Sequence, residues 1–383
     1  MTQAHRSQTP PQTDRKTPAP SRLSSTAGHV NAHTHLYSGL AGLGLPAPSE
    51  PPQSFLQILQ RIWWRLDRAL DARSLRAAAR LYVAEALLAG TTALIDHHES
   101  PCAIAGSLDV LADACESLGM RALLCYGASE RNHGADEGAA GLAECERFLC
   151  AGRRRLVRGL VGLHASFTVS DRTIAAAARL CQAQGVPLHV HVAEDACDVA
   201  DAQARGEPGP LERLARLGAL PAGSILAHGV HLRPDQVQQA EALGLWLVHN
   251  PRSNHNNRVG YAQALRHSRR VALGSDGFPS DMAQEVAALR QHGAAYGDDD
   301  AVAQARLQAG HAILRQHFAD DDLAGDEVQR DAAGRLQSVR VAGRLVVENG
   351  ALLSDDLPMI RATAAKEAVR LWQRMRDLPA ASP

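Results

Sequence analysis

Short apolar runs alternate with amphipathic segments through most of the chain. Apolar positions recur at helical spacing over residues 75–89, 107–118, 171–184 and 234–243, and a glycine follows each of these segments. The apolar runs between such segments lie at residues 28–31, 92–95, 122–125, 159–163, 187–190, 224–227, 245–248 and 271–273. Apolar strands that alternate with helices are typical of a parallel sheet covered on both faces. Eight such units predict a closed (β/α)8 TIM barrel, and the chain has no glycine-rich nucleotide-binding motif.

Past residue 290 the pattern changes. Helical spacing returns over residues 301–317, and an acidic run follows at 320–322. Apolar runs at 336–341 and 345–347 flank a glycine and an arginine, which predicts a hairpin, and residues 360–376 predict a closing helix. We therefore expect three parts. They are a disordered polar tail at 1–27, the barrel at 28–320, and a C-terminal part at 321–383 that holds the hairpin and C-terminal helices.

Within the barrel, one connection is unusually long. Residues 36–52 form a loop rich in glycine and proline after the first apolar run, and the helix that follows carries Trp63 and Trp64. Long loops on the catalytic rim of a barrel often form lids over the site.

The composition is that of an ordinary globular protein. The 383 residues are 45% hydrophobic and 21% charged, with a formal net charge of −1, so nothing favours nucleic acid or an anionic membrane as a partner. The seven cysteines form no C-x-x-C pair, which predicts reduced thiols in a cytoplasmic protein. No apolar run reaches the ~18 residues of a membrane span. The first 27 residues lack the apolar stretch of a secretory signal, although their arginine and serine content also fits a transit peptide.

Polar side chains follow the apolar runs with unusual regularity. His33 and His35 end the first run, and because strand side chains alternate, both project to the same face. The later runs end near Asp96-His97-His98, Tyr126, His164, His191 with Glu194, His228, His249-Asn250 and Asp276. In a parallel barrel the carboxyl ends of the strands meet at one rim, where active sites lie. The pattern therefore predicts a functional site there.

Imidazoles and a carboxylate at that rim suit a catalytic metal ion. Such sites use neutral imidazoles with a carboxylate and leave one position for water. His33, His35, His191 and Asp276 provide this set. His189 shares a strand face with His191 and stays an alternative ligand, but Glu194 lies three residues beyond His191 and favours His191. Zinc and iron both accept these ligands, and we expect zinc rather than iron.

The scarcity of lysine bears on the number of ions. Binuclear barrel hydrolases often bridge two metals through a carbamylated lysine at the end of the fourth strand, but lysine occurs here only at 16 and 366. One divalent ion is therefore expected, and His164, at the end of the fourth strand, is better explained as a substrate-binding group. Glu194 has the chemistry of a general acid, while His228 and Asp276 could orient and deprotonate water.

A series of short motifs runs in order along the predicted barrel. They are Val30-Asn31-Ala32-His33-Thr34-His35, Gly90-Thr91-Thr92, His164-Ala165-Ser166-Phe167-Thr168, His191-Val192-Ala193-Glu194, Ala227-His228-Gly229, His249-Asn250-Pro251 and Gly274-Ser275-Asp276. Together they resemble the amidohydrolase superfamily, specifically its cytosine-deaminase-like branch of mononuclear aminohydrolases. Three further segments, Trp63-Trp64-Arg65-Leu66-Asp67, Asp96-His97-His98-Glu99 and Ser280-Asp281-Met282, are most similar to the SsnA group of aminohydrolases.

This resemblance implies a function and a role for each residue of the site. The implied reaction is hydrolytic deamination of a small purine-like or pyrimidine-like heterocycle, or a related amidine, with release of ammonia. The implied metal ligands are His33, His35, His191 and Asp276. Glu194 would be the proton shuttle, and His228 would polarise water or the exocyclic group. The residues implied to lie near the substrate are His164, His98, Asn250 and Ser280. Members of the family commonly form homo-oligomers.

The sequence departs from the family in one respect. Members usually carry strands of a small β-sandwich before the His-X-His motif, whereas only a polar tail precedes it here, and residues 325–334 hold almost no apolar side chain. We therefore expect a reduced or vestigial sandwich, the alternative being that the gene start and part of the middle are missing. Two other functions stay open: displacement of chloride from a triazine-like ring, and a catalytically inactive, truncated paralogue that only binds metal. Ring-opening amide hydrolysis is disfavoured because the bridging lysine is absent.

Overall fold

The computed structural model describes residues 23–318 and 323–379. Its strands are β1 (Ser24–Ala27), β2 (His29–Thr34), β3 (Thr91–His98), β4 (Arg121–Ala128), β5 (Val157–Gly159), β6 (Val161–Ala165), β7 (Leu188–Val192), β8 (Ile225–His228), β9 (Trp246–His249), β10 (Val271–Leu273), β11 (Glu327–Arg330), β12 (Leu336–Val341), β13 (Arg344–Glu348) and β14 (Ala351–Leu352). Its helices are α1 (Phe55–Ile58), α2 (Trp64–Ala69), α3 (Ala72–Ala89), α4 (Ser107–Leu118), α5 (Ala135–Cys150), α6 (Asp171–Gln184), α7 (Ala196–Ala204), α8 (Pro210–Arg216), α9 (Pro234–Ala242), α10 (Pro251–Asn256), α11 (Met282–Gly293), α12 (Asp300–His317) and α13 (Leu357–Asp377).

Eight parallel strands form a nearly closed barrel with helices outside it. Neighbouring strands follow the order β2-β3-β4-β6-β7-β8-β9-β10, and the short β5 lies beside β4. The barrel closes at its carboxyl rim, where Thr34 and Asp276 form a parallel bridge and the backbone N–H groups of Ser275 and Asp276 both donate to the His33 carbonyl oxygen. The predicted (β/α)8 fold is therefore confirmed.

Several predicted elements agree with the structure in their bounds. Helices α4 and α6 begin and end at the predicted residues, since capping groups mark their ends. Ser170 accepts a hydrogen bond from the Thr173 N–H at the start of α6, and Gly119 ends α4 in the left-handed region at φ 83°. The predicted fourth strand is instead divided, because Leu160 separates β5 from β6.

The small sheet differs from the expectation. Strands β1, β11, β12, β13 and β14 form one antiparallel sheet in that order, where the sequence predicted only the hairpin of β12 and β13. Residues 24–27, predicted as part of a disordered tail, pair with β11, which lies in the stretch 325–334 where almost no side chain is apolar. The pairing partner of β1 lies some 300 residues away, so no local signal reveals it. The rest of the predicted tail, residues 1–22, lies outside the described residues.

The barrel interior is apolar below the rim. Val30, Ala93, Leu123 and Ile225 pack together there with the end of α12. A second cluster joins α3, α4 and α13 to the inner face of the small sheet. Polar side chains are therefore concentrated at the carboxyl ends of the strands.

Candidate active site

The candidate site lies at the carboxyl rim of the barrel. His33 lies near the end of β2 and His35 follows it, His191 lies on β7, and His228 ends β8. Asp276 follows β10 at the point where the barrel closes. The four imidazoles are buried, and the Asp276 side chain is 13% exposed. Residues far apart in the sequence are thus brought to one place by the strand order.

The backbone is strained at three of these strand ends. Ala193, His228 and Asp276 have φ angles of 49°, 76° and 54°, in the left-handed region that side chains other than glycine rarely adopt. Such residues cost about 1–3 kcal/mol each and are found mostly at functional sites. The strain marks the segments that aim these side chains into the barrel mouth.

The nitrogen and oxygen atoms of this group lie close to one another. His35 Nε2 is 2.9 Å from Asp276 Oδ1 and 3.3 Å from His191 Nε2, and His33 Nε2 is 3.6 Å from Asp276 Oδ1. One ligand atom each from His33, His191, His228 and Asp276 also lie within 4.8 Å of one another. The four expected ligands therefore converge, and His228 joins them.

Each imidazole is held through its Nδ1 atom. His35 Nδ1 donates to the backbone carbonyl of His97, and His191 Nδ1 donates to the carbonyl of His164 over 2.7 Å. His228 Nδ1 is 2.8 Å from Asn254 Oδ1, and His33 Nδ1 is 2.9 Å from Nε2 of His189. Contacts of this kind fix the tautomer and turn Nε2 toward a metal ion.

His189, the alternative ligand, has a different position. It is fully buried behind His33, and its Nε2 contacts the Nδ1 of that residue. It therefore supports the imidazole of His33, while His191 faces Asp276.

The electrostatics of the group favour a cation at its centre. Burial would lower the pKa of His35, but the hydrogen bond and charge of Asp276 raise it to about 9. Burial lowers the pKa of His33 to about 3. For Asp276, burial raises the pKa, yet the adjacent imidazoles of His33 and His35 outweigh it and hold the pKa well below its usual range. The Asp276 carboxylate is thus an anion that draws positive charge to these imidazoles.

A divalent metal ion fits these residues. The Nε2 atoms of His33 and His228 are buried and have no hydrogen-bond partner among the described residues, although buried polar groups nearly always have one. An ion bound by imidazole nitrogens and the Asp276 oxygen would satisfy them, and this donor set is the one that zinc and iron accept.

Glu194 lies beside the group on the side of His228. Its Oε2 is 3.5 Å from His228 Nε2. Burial, together with the charge of Asp276, raises the pKa of Glu194 well above its usual value, against a hydrogen bond from Asn257 that lowers it. Glu194 can therefore carry a proton at neutral pH, as a general acid must.

A cavity of about 660 Å³, counting its mouth, opens above the group. Its apolar wall comes from Phe55, Leu59, Trp63 and Trp64, in the helical segment that follows the long first loop, and from Phe167 at the rim. Its polar lining includes His35, Glu99, Arg131, His164, His191, Glu194, Asp198, Asn257 and Asp276. The helical segment with the two tryptophans therefore forms one wall of the cavity.

Of the four residues expected near the substrate, the structure brings only His164 to this cavity. His98 is buried and its Nε2 is 2.8 Å from Ser100 Oγ. Ser280 lies below the rim, where its Oγ accepts from Asn31 Nδ2 over 3.0 Å. Asn250 is buried beside His228, with its Nδ2 3.4 Å from His228 Nδ1. These three side chains contact neighbouring residues inside the protein and do not line this cavity.

Two cavity residues escaped the sequence reasoning. Glu99 follows directly after the Asp96-His97-His98 motif, and Arg131 follows Glu130, the charged residue nearest the end of the third barrel strand. Glu130 instead bonds to Ser170 outside this cavity. Position just past a strand end was the available signal for both, but spacing could not show which of two adjacent side chains points inward.

For Glu99, burial raises the pKa, but the charge and hydrogen bond of His97 outweigh it and hold the pKa well below the usual range. Among the carboxyls that line the cavity, Glu194 therefore tends to keep a proton, whereas Glu99 tends to stay ionised.

Comparison with known proteins places this architecture in a family. The sequence model of the amidohydrolase family matches residues 25–312. The chain belongs to the amidohydrolase family. It is 28% identical over 371 residues to a 5'-deoxyadenosine deaminase from Methanopyrus kandleri, covering 86% of this chain and 82% of that protein. It is also 28% identical to an 8-oxoguanine deaminase from Pseudomonas aeruginosa, over 68% of this chain and 61% of that protein.

A solved structure shares the fold of this amidohydrolase. An adenosine deaminase from Xanthomonas campestris, with bound zinc, superimposes with a TM-score of 0.78 at 24% identity, covering 91% of this chain and 86% of that one. None of the helices in residues 23–318 and 323–379 has the length and apolar character of a transmembrane segment.

Proposed function

We propose that this protein hydrolytically removes an amino group from a small nitrogen heterocycle and releases ammonia. The observation that supports this most directly is Glu194, a carboxyl with a raised pKa that lies 3.5 Å from His228, beside four converging imidazoles and Asp276. The relatives that are named deaminases support the same reaction. A cytoplasmic location is part of the proposal, and the seven unpaired cysteines support it.

The metal in this proposal is one divalent ion, zinc rather than iron. His33, His35, His191 and Asp276 would hold it, with His228 next to them. When bound, such an ion polarises the reacting groups and lowers the pKa of water to about 7. The zinc in the related Xanthomonas structure supports this choice.

The chain's own residues would direct the protons. Glu194, protonated because of its burial, gives a proton to the ring nitrogen beside the reacting carbon. His228, held at Nδ1 by Asn254, orients the attacking water through Nε2. A carbon–oxygen bond forms and the carbon–nitrogen bond breaks. One proton of the water passes to the amine, which leaves as ammonia, and the other returns to Glu194. His164 contacts the ring from the cavity wall.

The structure offers less support for displacement of chloride from a triazine-like ring. Chloride leaves as an anion and needs no proton, whereas an amine must be protonated before it leaves. Glu194 and His228, 3.5 Å apart, are placed to pass a proton from water to the amine, and this supports deamination.

The test is the variant Glu194→Gln, assayed for ammonia release across purines, pyrimidines and triazines. We expect the variant to bind metal as the wild type does and to lose about 10²–10⁴-fold in kcat/KM. Glu85→Gln, in a partly exposed carboxyl of α3 that pairs with Arg361, is the matched control and should keep full activity. Full activity of Glu194→Gln would contradict the assigned role, and metal binding by the wild type without any turnover would favour the inactive paralogue.

A further inference from the structure

The backbone and the carboxylate of Asp276 are held by different parts of the barrel. From the end of β2, Thr34 Oγ1 and the His35 N–H both donate to the Asp276 backbone carbonyl oxygen, over 3.1 Å and 3.2 Å. These bonds hold the Asp276 backbone at its strained φ of 54°. They do not fix the carboxylate group, whose terminal torsion has only a broad, twofold preference. A further contact must therefore decide which oxygen of Asp276 faces the imidazoles.

Ser253, on α10, provides that contact. Its hydroxyl donates a hydrogen bond to Asp276 Oδ2, whereas Oδ1 is the oxygen that lies 2.9 Å from His35 Nε2 and 3.6 Å from His33 Nε2. Asn257 Nδ2 donates to the Ser253 oxygen over 3.2 Å. A serine hydroxyl has one proton, and because Asn257 occupies a lone pair of the oxygen, that proton is directed to Asp276. Ser253 is buried and does not line the cavity.

Other residues of the same helical turn contact other groups of the site. Asn254 Oδ1 accepts from His228 Nδ1 over 2.8 Å, and Asn257, which follows α10, donates a hydrogen bond to Glu194. Positions 253 and 254 lie four and three residues before 257, a spacing that brings side chains to one face of a helix. This face therefore meets Asp276, His228 and Glu194 together.

Arg252 fastens α10 to the segment that carries Asp276. Its Nη2 donates to the Pro279 carbonyl oxygen over 2.6 Å. Its Nε bonds to Glu285 Oε1, and its backbone N–H donates to Glu285 Oε2 over 3.2 Å. Glu285 is fully buried on α11, and Pro279 follows Asp276 by three positions. The position of Ser253 relative to Asp276 is therefore fixed by the fold.

We propose that Ser253 is a positioning residue for the metal centre, which holds Asp276 through Oδ2 and so presents Oδ1 toward the imidazoles. The inference rests on the zinc site of the proposed function and deepens it, but it does not depend on which heterocycle is deaminated. Groups that hydrogen-bond to a metal ligand orient it, and their loss typically costs about 10–100-fold in metal affinity or activity. Without the Ser253 hydroxyl, Asp276 Oδ2 loses its donor and the carboxylate can turn.

The first test measures the zinc dissociation constant of Ser253→Ala by competition with a chromophoric chelator. We expect Kd to rise about 10–100-fold relative to the wild type. Ser117→Ala, which removes an exposed hydroxyl on α4, is the matched control and should keep the wild-type Kd. A serine that only fills space in the interior would change the free energy of unfolding and leave the zinc Kd alone. An unchanged Kd in Ser253→Ala overturns the inference.

A double-mutant cycle tests whether Ser253 acts through Asp276. The zinc Kd is measured for Asp276→Ala and for the double variant Asp276→Ala with Ser253→Ala. If the hydroxyl acts by orienting the carboxylate, its removal should change the zinc Kd little once the carboxylate is gone, because the two effects are coupled. An equal rise in Kd in both backgrounds contradicts the inference, since Ser253 would then act independently of Asp276.

Kinetics at a zinc concentration that saturates the variant give a third readout. Ser253→Ala should lower kcat for ammonia release and leave KM for the heterocycle nearly unchanged, because Ser253 does not line the cavity. A rise in KM with unchanged kcat would instead assign Ser253 to substrate binding and refute the inference. If the wild type binds zinc but releases no ammonia from any heterocycle, the proposed function fails, while the zinc Kd values still decide the role of Ser253.

Discussion

At the scale of single residues, the site depends on which nitrogen of each imidazole is engaged by a neighbouring group and which is left for a metal ion. The partners of Nδ1 come from different places: the carbonyl groups of residues 97 and 164, the Asn254 side chain, and the His189 ring. The His-X-His spacing predicted that two imidazoles share a face, but not how their rings are turned. His189 illustrates the limit, since strand periodicity alone left it an alternative to His191.

Asp96 yields a prediction about stability and pH. It is fully buried, its Oδ1 accepts from the Leu36 N–H over 2.6 Å, and its Oδ2 has no hydrogen-bond partner among the described residues. Burial raises its pKa to about 7 from 3.8, against the hydrogen bond from Leu36. Between these two values the folded protein binds a proton that the unfolded chain has released. The contribution of Asp96 to stability is therefore full below pH 4 and falls as the pH rises toward 7.

The variant Asp96→Asn removes this dependence. From pH 5 to pH 8, the free energy of unfolding of the wild type should fall relative to the variant by about 2–3 kcal/mol. Urea denaturation at the two pH values measures this difference. Asp113→Asn, which changes an exposed carboxylate on α4, is the control. Its free energy of unfolding should change with pH as that of the wild type does. If the free energies of unfolding of the wild type and Asp96→Asn differ by the same amount at both pH values, Asp96 does not titrate in this range.

At the scale of elements, local signals predicted the helices better than the small sheet. Helices α4 and α6 have amphipathic spacing and end at a glycine, so their bounds can be read from neighbouring residues. Strand β1 has the sequence Ser24-Ser25-Thr26-Ala27, and it exists because β11 pairs with it. In β11 only Val328 is buried, so its pattern is too weak to read. Pairing between distant, polar strands therefore could not be predicted.

The contact between barrel and small sheet gives a second prediction. Arg121, at the start of β4, is fully buried and binds Asp326 through two hydrogen bonds of 2.9 Å. Asp326 also accepts from the Ala342 N–H over 2.6 Å and lies just before β11. Removing one partner of a buried ion pair leaves the other charge uncompensated, at a cost of about 3–5 kcal/mol.

Asp326→Ala should therefore lower the free energy of unfolding by that amount in chemical denaturation. Asp235→Ala provides the comparison, since it removes an exposed carboxylate that pairs with Arg233 on the surface. Exposed pairs of this kind contribute less than about 1 kcal/mol. Equal losses in the two variants would show that the buried pair does not hold the small sheet to the barrel.

At the scale of the whole molecule, the sequence predicted the convergence of the site but not its walls. Parallel strands of a barrel must bring their carboxyl ends together, so His33 and Asp276 could be expected to meet although 243 positions separate them. The cavity depends on loops instead. Arg131 and Glu99 line it, whereas His98, Asn250 and Ser280 do not, because the direction of a side chain beyond a strand end is set by tertiary contacts.

The metal should also stabilise the fold as a whole. The proposed ligands belong to the first, fifth and last strands of the barrel, and Asp276 lies where the barrel closes. An ion that binds only the folded chain stabilises it by about 4 kcal/mol when its free concentration is 1,000 times Kd. Removing zinc with a chelator should therefore lower the midpoint of thermal unfolding by several degrees, and added zinc should restore it. Asp276→Asn, which lacks the carboxylate ligand, should show little response to the chelator. If the wild type loses its zinc and keeps the same midpoint, these residues do not join the strands through a shared ion.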